Sequence, residues 1–98
     1  MNEKLPIYTF SPEKNLKLKL ERDVSFEEII AAVADGQLLD IVEHPNQKKY
    51  NEQKMYIVFV NNYVYIVPFV ENKDGTIFLK TIIPSRKAKK TYMHAGIT

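Results

Sequence analysis

The stretch from Lys54 to Val70 constrains the fold more than any other part of the chain. Lys54–Val60 and Tyr63–Val70 are rich in Val, Ile, Tyr and Phe. Asn61-Asn62, between them, tolerates the positive φ of a two-residue hairpin turn. Apolar residues occupy both faces of these strands, so the pair should be central in a sheet and covered by helices on at least one side. Pro68 cannot donate to a ladder and marks an edge position or a bulge. The same run is no membrane span, because Asn61-Asn62 and Pro68 interrupt it well short of the ~20 apolar residues needed.

Strands are expected on both sides of this hairpin. Leu38 to Glu43 reads as a strand ending at His44-Pro45-Asn46, with a polar loop through Asn51. Asn72-Lys73-Asp74-Gly75 closes a second hairpin into a strand over Thr76 to Ile83. Two helices precede them. Ser11-Pro12-Glu13 supplies a cap, a first-turn proline and a first-turn acid, which starts a helix over Pro12 to Arg22. Leu16, Leu18 and Leu20 alternate with lysines in a strand-like way, yet Leu16 and Leu20 would share a helical face, with Glu13/Lys17 and Lys17/Glu21 paired on the surface. After a break at Asp23-Val24, Ser25-Phe26-Glu27-Glu28 is a capping box. It opens a helix over Phe26 to Asp35, ended by Gly36. Two N-terminal helices packed on a four-stranded antiparallel meander make the expected fold α+β, with Ser85 onward available for a short basic helix.

With 98 residues the chain fits one domain spanning 1–98, and the absence of cysteine excludes disulfide frameworks and thiol chemistry. Met1 to Lys4 has no secretory pattern, so the expected location is the cytoplasm, away from membranes. The net charge of +2 conceals segregation. Residues 23–45 hold six acidic side chains and no basic one, whereas residues 81–98 hold Arg86, Lys87, Lys89 and Lys90 and no acid. Such blocks read either as two faces for two partners or as ordinary solvated surface.

Two histidines without metal-ligand spacing and three isolated glycines offer neither a metal site nor a phosphate loop, so no cofactor is expected. What remains is basic and aromatic. Lys54, Lys80 and Arg86, followed by Lys87, Lys89 and Lys90, could hold backbone phosphates and the charge that develops during RNA cleavage. Tyr63, Tyr65 and Tyr92 could stack on bases. Glu52 and His44 are candidate general bases. Each has a plainer reading: Lys80 as a strand lysine snorkelling beside Phe78 and Ile82, the tyrosines as hairpin packing, Glu52 and His44 as polar loop residues.

Four segments in order carry a resemblance. Phe10-Ser11-Pro12-Glu13-Lys14-Asn15 is similar to a Phe-Asp-Pro-x-Lys opening, and Val24-Ser25-Phe26-Glu27-Glu28 to Val-Ser-Phe-Glu-Glu. Glu52-Gln53-Lys54 resembles Glu-x-Arg, and Ile82-Ile83-Pro84-Ser85-Arg86-Lys87-Ala88 resembles Ile-Ile-Ser-Ala-Arg-x-Ala. Together they resemble the BrnT-type toxins of bacterial toxin–antitoxin systems, within the RelE/ParE-like superfamily, over about Phe10 to Tyr92. Glu21-Arg22-Asp23 stands where that family has Lys-His-Gly. Lys54 replaces an arginine, and Lys80 or Thr81 replaces another. The glutamate expected between the final Arg-x-Ala and the tyrosine is missing.

The resemblance implies a RelE-like toxin that cleaves RNA without a metal and blocks translation until a cognate antitoxin covers its basic surface. Arg86 would be the main phosphate clamp, assisted by Lys54 and Lys80, with Glu52 or Tyr92 as proton carrier and Lys87, Lys89 and Lys90 binding RNA. Operator DNA would be reached only through the antitoxin. Two competing readings are a non-catalytic module of the same fold that binds an antitoxin or nucleic acid, and a stand-alone RNA-binding domain.

Overall fold

Ser11 accepts a hydrogen bond from the Lys14 amide at 3.1 Å, and with Pro12 in the first turn it starts helix α1, Pro12–Arg22. Ser25 and Glu28 form the reciprocal capping box of α2, Phe26–Ala34. Ahead of both helices lies a short strand, β1 (Tyr8–Thr9). After them come β2 (Leu38–Glu43), β3 (Lys54–Val60), β4 (Tyr63–Glu71), β5 (Ile77–Leu79), β6 (Ile83–Pro84) and α3 (Arg86–His94). These elements belong to a computed structural model that describes residues 6–51 and 53–94.

Three helices on a mixed sheet make the fold α+β, in the order β1-β5-β4-β3-β2 with β6 also beside β4. Strand count and order differ from the expected four-strand meander in two places. First, β1 adds to the edge, parallel to β5, with Tyr8 opposite Ile77. Second, the last expected strand is split. Phe69 faces Leu79 and Ile66 faces Ile83, so Lys80, Thr81 and Ile82 stand opposite Val67 and Pro68. Pro68 is the physical reason. Its carbonyl accepts from the Lys80 amide on the β5 side, so its missing N–H falls on that side too, at the bulge.

Asn61 and Asn62 have φ of 54° and 61°, the turn that the β3–β4 hairpin requires. Alternation then sorts the sheet into two packed faces. On one, Phe26, Ile29 and Leu18 from α1 and α2 meet Tyr56, Val58 and Val67. On the other, Ala88, Tyr92 and Met93 of α3 meet Ile57, Val64 and Ile66. Helices therefore cover both sides. The α1 pattern resolves differently from expectation, since Asn15 and Leu18 face inward while Leu16 and Leu20 remain 58% and 79% exposed. Instead of Glu13/Lys17 and Lys17/Glu21 pairs, the one ion pair among the described residues joins Lys19 of α1 to Glu27 of α2 at 4.0 Å.

Asp23 closes α1 in the left-handed conformation, φ 57°, where glycine is the favoured residue. An aspartate there pays a Cβ penalty and puts negative charge at the negative end of the helix. Asp23→Gly should therefore stabilise the fold by roughly 0.5–1 kcal/mol. A thermal melt would show this as a rise of roughly 2–8 °C, and an unchanged or lower midpoint would mean that the carboxylate has a compensating role.

Candidate nucleic-acid interface

Ser85 sets the position of the C-terminal cations. Its hydroxyl accepts from the Ala88 amide at 3.0 Å and its carbonyl from the Lys89 amide at 3.0 Å, so the chain turns from β6 directly into α3. Ala88 and Tyr92, four apart, face the sheet, and Met93 packs beside them. Arg86, Lys87 and Lys90 are consequently left exposed on the outer side of a helix that has no acid in its first turn. Lys89 differs from them. Its ammonium lies over the Tyr63 ring, 5.0 Å from the centroid, and is engaged in the fold.

Lys80 joins the same side of the sheet. Its amide bonds to the Pro68 carbonyl, Pro68 shares its face with Ile66 and Val64 by alternation, and those two residues pack under α3. The exposed Lys80 side chain thus projects on the α3 face. Lys54 does not. It pairs with Phe69 and Glu43, and Phe69 belongs to the α1–α2 core, so Lys54 lies on the opposite face. There it lines an open cleft with Glu43 and Glu71, two carboxylates beside one ammonium. Of the three cations suggested as one phosphate site, only Lys80 and Arg86 share a side of the sheet, opposite Pro68 and just beyond Val64, ~13 Å apart along β4. The cause is a parity that only the β3–β4–β5 register defines.

Tyr92 is also committed. Its hydroxyl donates to Asp40 Oδ2 at 2.7 Å, while Asp40 Oδ1 accepts from the neighbouring Ile41 amide at 2.8 Å. The bond to Asp40, aided by burial, holds the phenol above its ordinary pKa, so the proton stays on Tyr92 and points at a carboxylate. Glu52 lies outside the described residues. His44 accepts from the Asn46 amide at 3.0 Å on Nδ1 and packs on Tyr50 at 4.2 Å, which makes it part of the β2–β3 loop. Tyr65 is buried and meets Tyr63 edge-on at 5.6 Å, so hairpin packing uses both rings. Burial also raises the Tyr65 pKa.

Two participants escape a reading of the sequence alone. Asp40 sets the direction of the Tyr92 proton, and Arg22 donates to the carbonyl of Ile82 at the bulge. Asp40 looks like one more member of the acidic block. Arg22 looks like a last-turn helix cation. The charge blocks themselves acquire a geometry. Glu27 and Glu28 belong to α2 on one side of the sheet, and Arg86, Lys87 and Lys90 to α3 on the other. An open groove between α2 and the end of β3, lined by Ala31, Ala32, Phe59 and Val60, is rimmed by Glu28 and Asp35 and would repel a phosphate. Among the described residues no helix is long and apolar enough to cross a membrane, and no group of three or more His, Asp or Glu is placed to hold a metal ion.

No protein-family model, characterised protein or solved structure matches the chain.

Proposed function

We propose that the protein is the toxin of a BrnT-like toxin–antitoxin pair and acts in the cytoplasm on RNA through the α3 face. The observation that carries this reading is the acid-free outer side of α3, with Arg86, Lys87 and Lys90, on the same side of the sheet as Lys80. Three of the four family-like segments also fall at junctions that build the fold: the caps of α1 and α2, and the passage from the bulge through Ser85 into α3.

Cleavage on this reading has the 2′-oxygen attack the adjacent phosphorus as the bond to the 5′-oxygen breaks, giving a cyclic phosphate and a 5′-hydroxyl. One proton leaves the 2′-oxygen and one reaches the departing oxygen. Arg86 presents a planar fork to the phosphate, and Lys80 adds charge without that geometry. An antitoxin would silence the toxin by covering the same cations with an acidic segment, and operator DNA would be bound through the antitoxin.

A second reading, a non-cleaving module of the same fold, is favoured by the position of Lys54 beside Glu43 and Glu71 and by the use of the Tyr92 proton on Asp40. Inducible expression in bacteria tests the first reading. The wild-type chain should arrest growth and fragment messages. Arg86→Ala should relieve the arrest, lower cleavage of a labelled RNA by about a hundredfold and leave the melting point in place. Unaffected growth and intact messages with the wild-type chain would overturn the toxin reading. Arrest or RNA binding with no cleavage by purified protein would select the second.

A further inference from the structure

Helix α3 covers only part of its face of the sheet. It sits over Val64, Ile66, Ile57 and Phe59 and reaches β2 at Asp40, whereas Met55, Val70 and Phe78 are only partly buried and belong to neither packed cluster. Phe78 lies opposite Val70 on β4 and Thr9 on β1, and Val70 is on the α3 face by alternation. Among the described residues, Phe78 is the one aromatic ring with neither a ring partner nor a place in a cluster. Tyr56 packs on Phe69, Phe10 on Phe26, Tyr50 on His44 and Tyr63 on Tyr65, Tyr8 bonds to Tyr56, Phe59 lies under α3, and Tyr92 packs from α3 onto the sheet.

One cation stands beside that ring and others lie further along the same side of the sheet. Lys80 is two residues further along the same face, ~7 Å on by strand geometry, and Arg86 follows Ser85, whose amide bonds to the Val64 carbonyl, six residues along β4 from the Val70 opposite Phe78 and so ~20 Å on. Of the strand residues that the register assigns to this face, Asp40 is the one carboxylate, and its oxygens already serve Tyr92 and Ile41. An open aromatic on an apolar sheet surface, bordered by a lysine with further cations along the same side, combines the two elements that hold a single-stranded nucleic acid without sequence readout.

We infer that this open half-face is a stacking seat for one base of a single-stranded RNA, with Phe78 beneath the base, Lys80 on a flanking phosphate and Arg86 on a phosphate further along the strand. The inference rests on the RNA reading above and adds to it the residue that receives the base. The tyrosines suggested by the sequence are used in packing, and Phe78 takes their place.

The chain lacks tryptophan, so Phe78→Trp installs a single reporter at the seat. The probe is a fluorescein-labelled RNA of about eight nucleotides, within the span such surfaces accommodate, used alongside a fully abasic strand of equal length. Phe78→Leu should weaken binding of the intact RNA about tenfold at fixed salt, leave the salt slope unchanged and leave abasic binding as in the wild type. Phe78→Trp should retain the affinity, and its emission should be quenched by intact RNA and not by the abasic strand.

Equal affinity of Phe78→Leu and wild type for intact RNA overturns the seat while leaving the RNA reading standing, as does a loss confined to a protein partner. An equal loss with the abasic strand also overturns it. Should Phe78→Leu fail to fold, the tryptophan decides, and unquenched emission in the RNA complex overturns the seat. A wild-type chain that binds no RNA removes both.

Discussion

Phe26→Ala is expected to remove about 3–5 kcal/mol of folding free energy, because Phe26 is fully buried and its loss leaves a cavity that its neighbours cannot fill. It occupies the first turn of α2, and its ring stacks on Phe10 at 4.9 Å with 25° between planes. The substitution thus strips a partner from the segment joining β1 to α1 as well as from the sheet. A domain of this size is stable by about 5–15 kcal/mol, so the loss is a large part of the total. Thermal melting should shift down by roughly 15–30 °C, and a shift of only a few degrees would mean that the site collapses around the smaller side chain.

The next largest effect should come from Asn15, a buried amide at the end of the first turn of α1. Its Oδ1 accepts from the Phe26 amide at 2.7 Å and its Nδ2 donates to Glu27 Oε1 at 2.7 Å. One side chain therefore supplies what a free N–H at the start of α2 lacks and fixes the angle between the two helices. Asn15→Ala recovers well under 1 kcal/mol of helix propensity but leaves the buried Phe26 N–H unpaired, so a net loss of about 2 kcal/mol is expected in a urea titration.

The pH dependence identifies the cause. Glu27 is held below its ordinary pKa first by the Asn15 amide, then by its own backbone N–H, with a smaller contribution from Lys19. A carboxyl whose folded pKa is lowered adds stability above its unfolded pKa, and this is lost as the pH falls through the folded value. The gap between wild type and Asn15→Ala should accordingly narrow below about pH 4. A gap of constant size through that range would assign the whole effect to the Phe26 amide.

Elements fixed by chemistry within a few residues were legible in the sequence. The Ser11-Pro12 start, the Ser25/Glu28 box and the Asn61-Asn62 turn each satisfy backbone demands locally, and α1, α2 and the central hairpin follow from them. Pro68 announced a disruption, but its place on the neighbouring strand depended on which side its nitrogen faced. β1 escaped notice because two residues carry no period, and their pairing with β5 depends on the return of a chain some seventy residues away. The leucines of α1 misled because alternation with lysine fits a strand, while the helix buries only Leu18. In the candidate site, the cations were recognisable by type. Their distribution over two faces was not, because a single bulge or a slip of one residue would reverse it.

The bond from Asp40 to the Ile41 amide also affects how the molecule behaves among its own copies. β2 is an outer strand of the sheet, and Ile41 is half exposed on it. Since the His44 amide bonds inward to Gln53, alternation turns the Ile41 backbone outward, where another chain could add a strand. The Asp40 carboxylate already occupies that N–H, and its charge would have to be buried to let a newcomer pair. The residue that anchors the end of α3 thereby also opposes strand addition at the β2 edge of a sheet rich in valine, isoleucine and tyrosine.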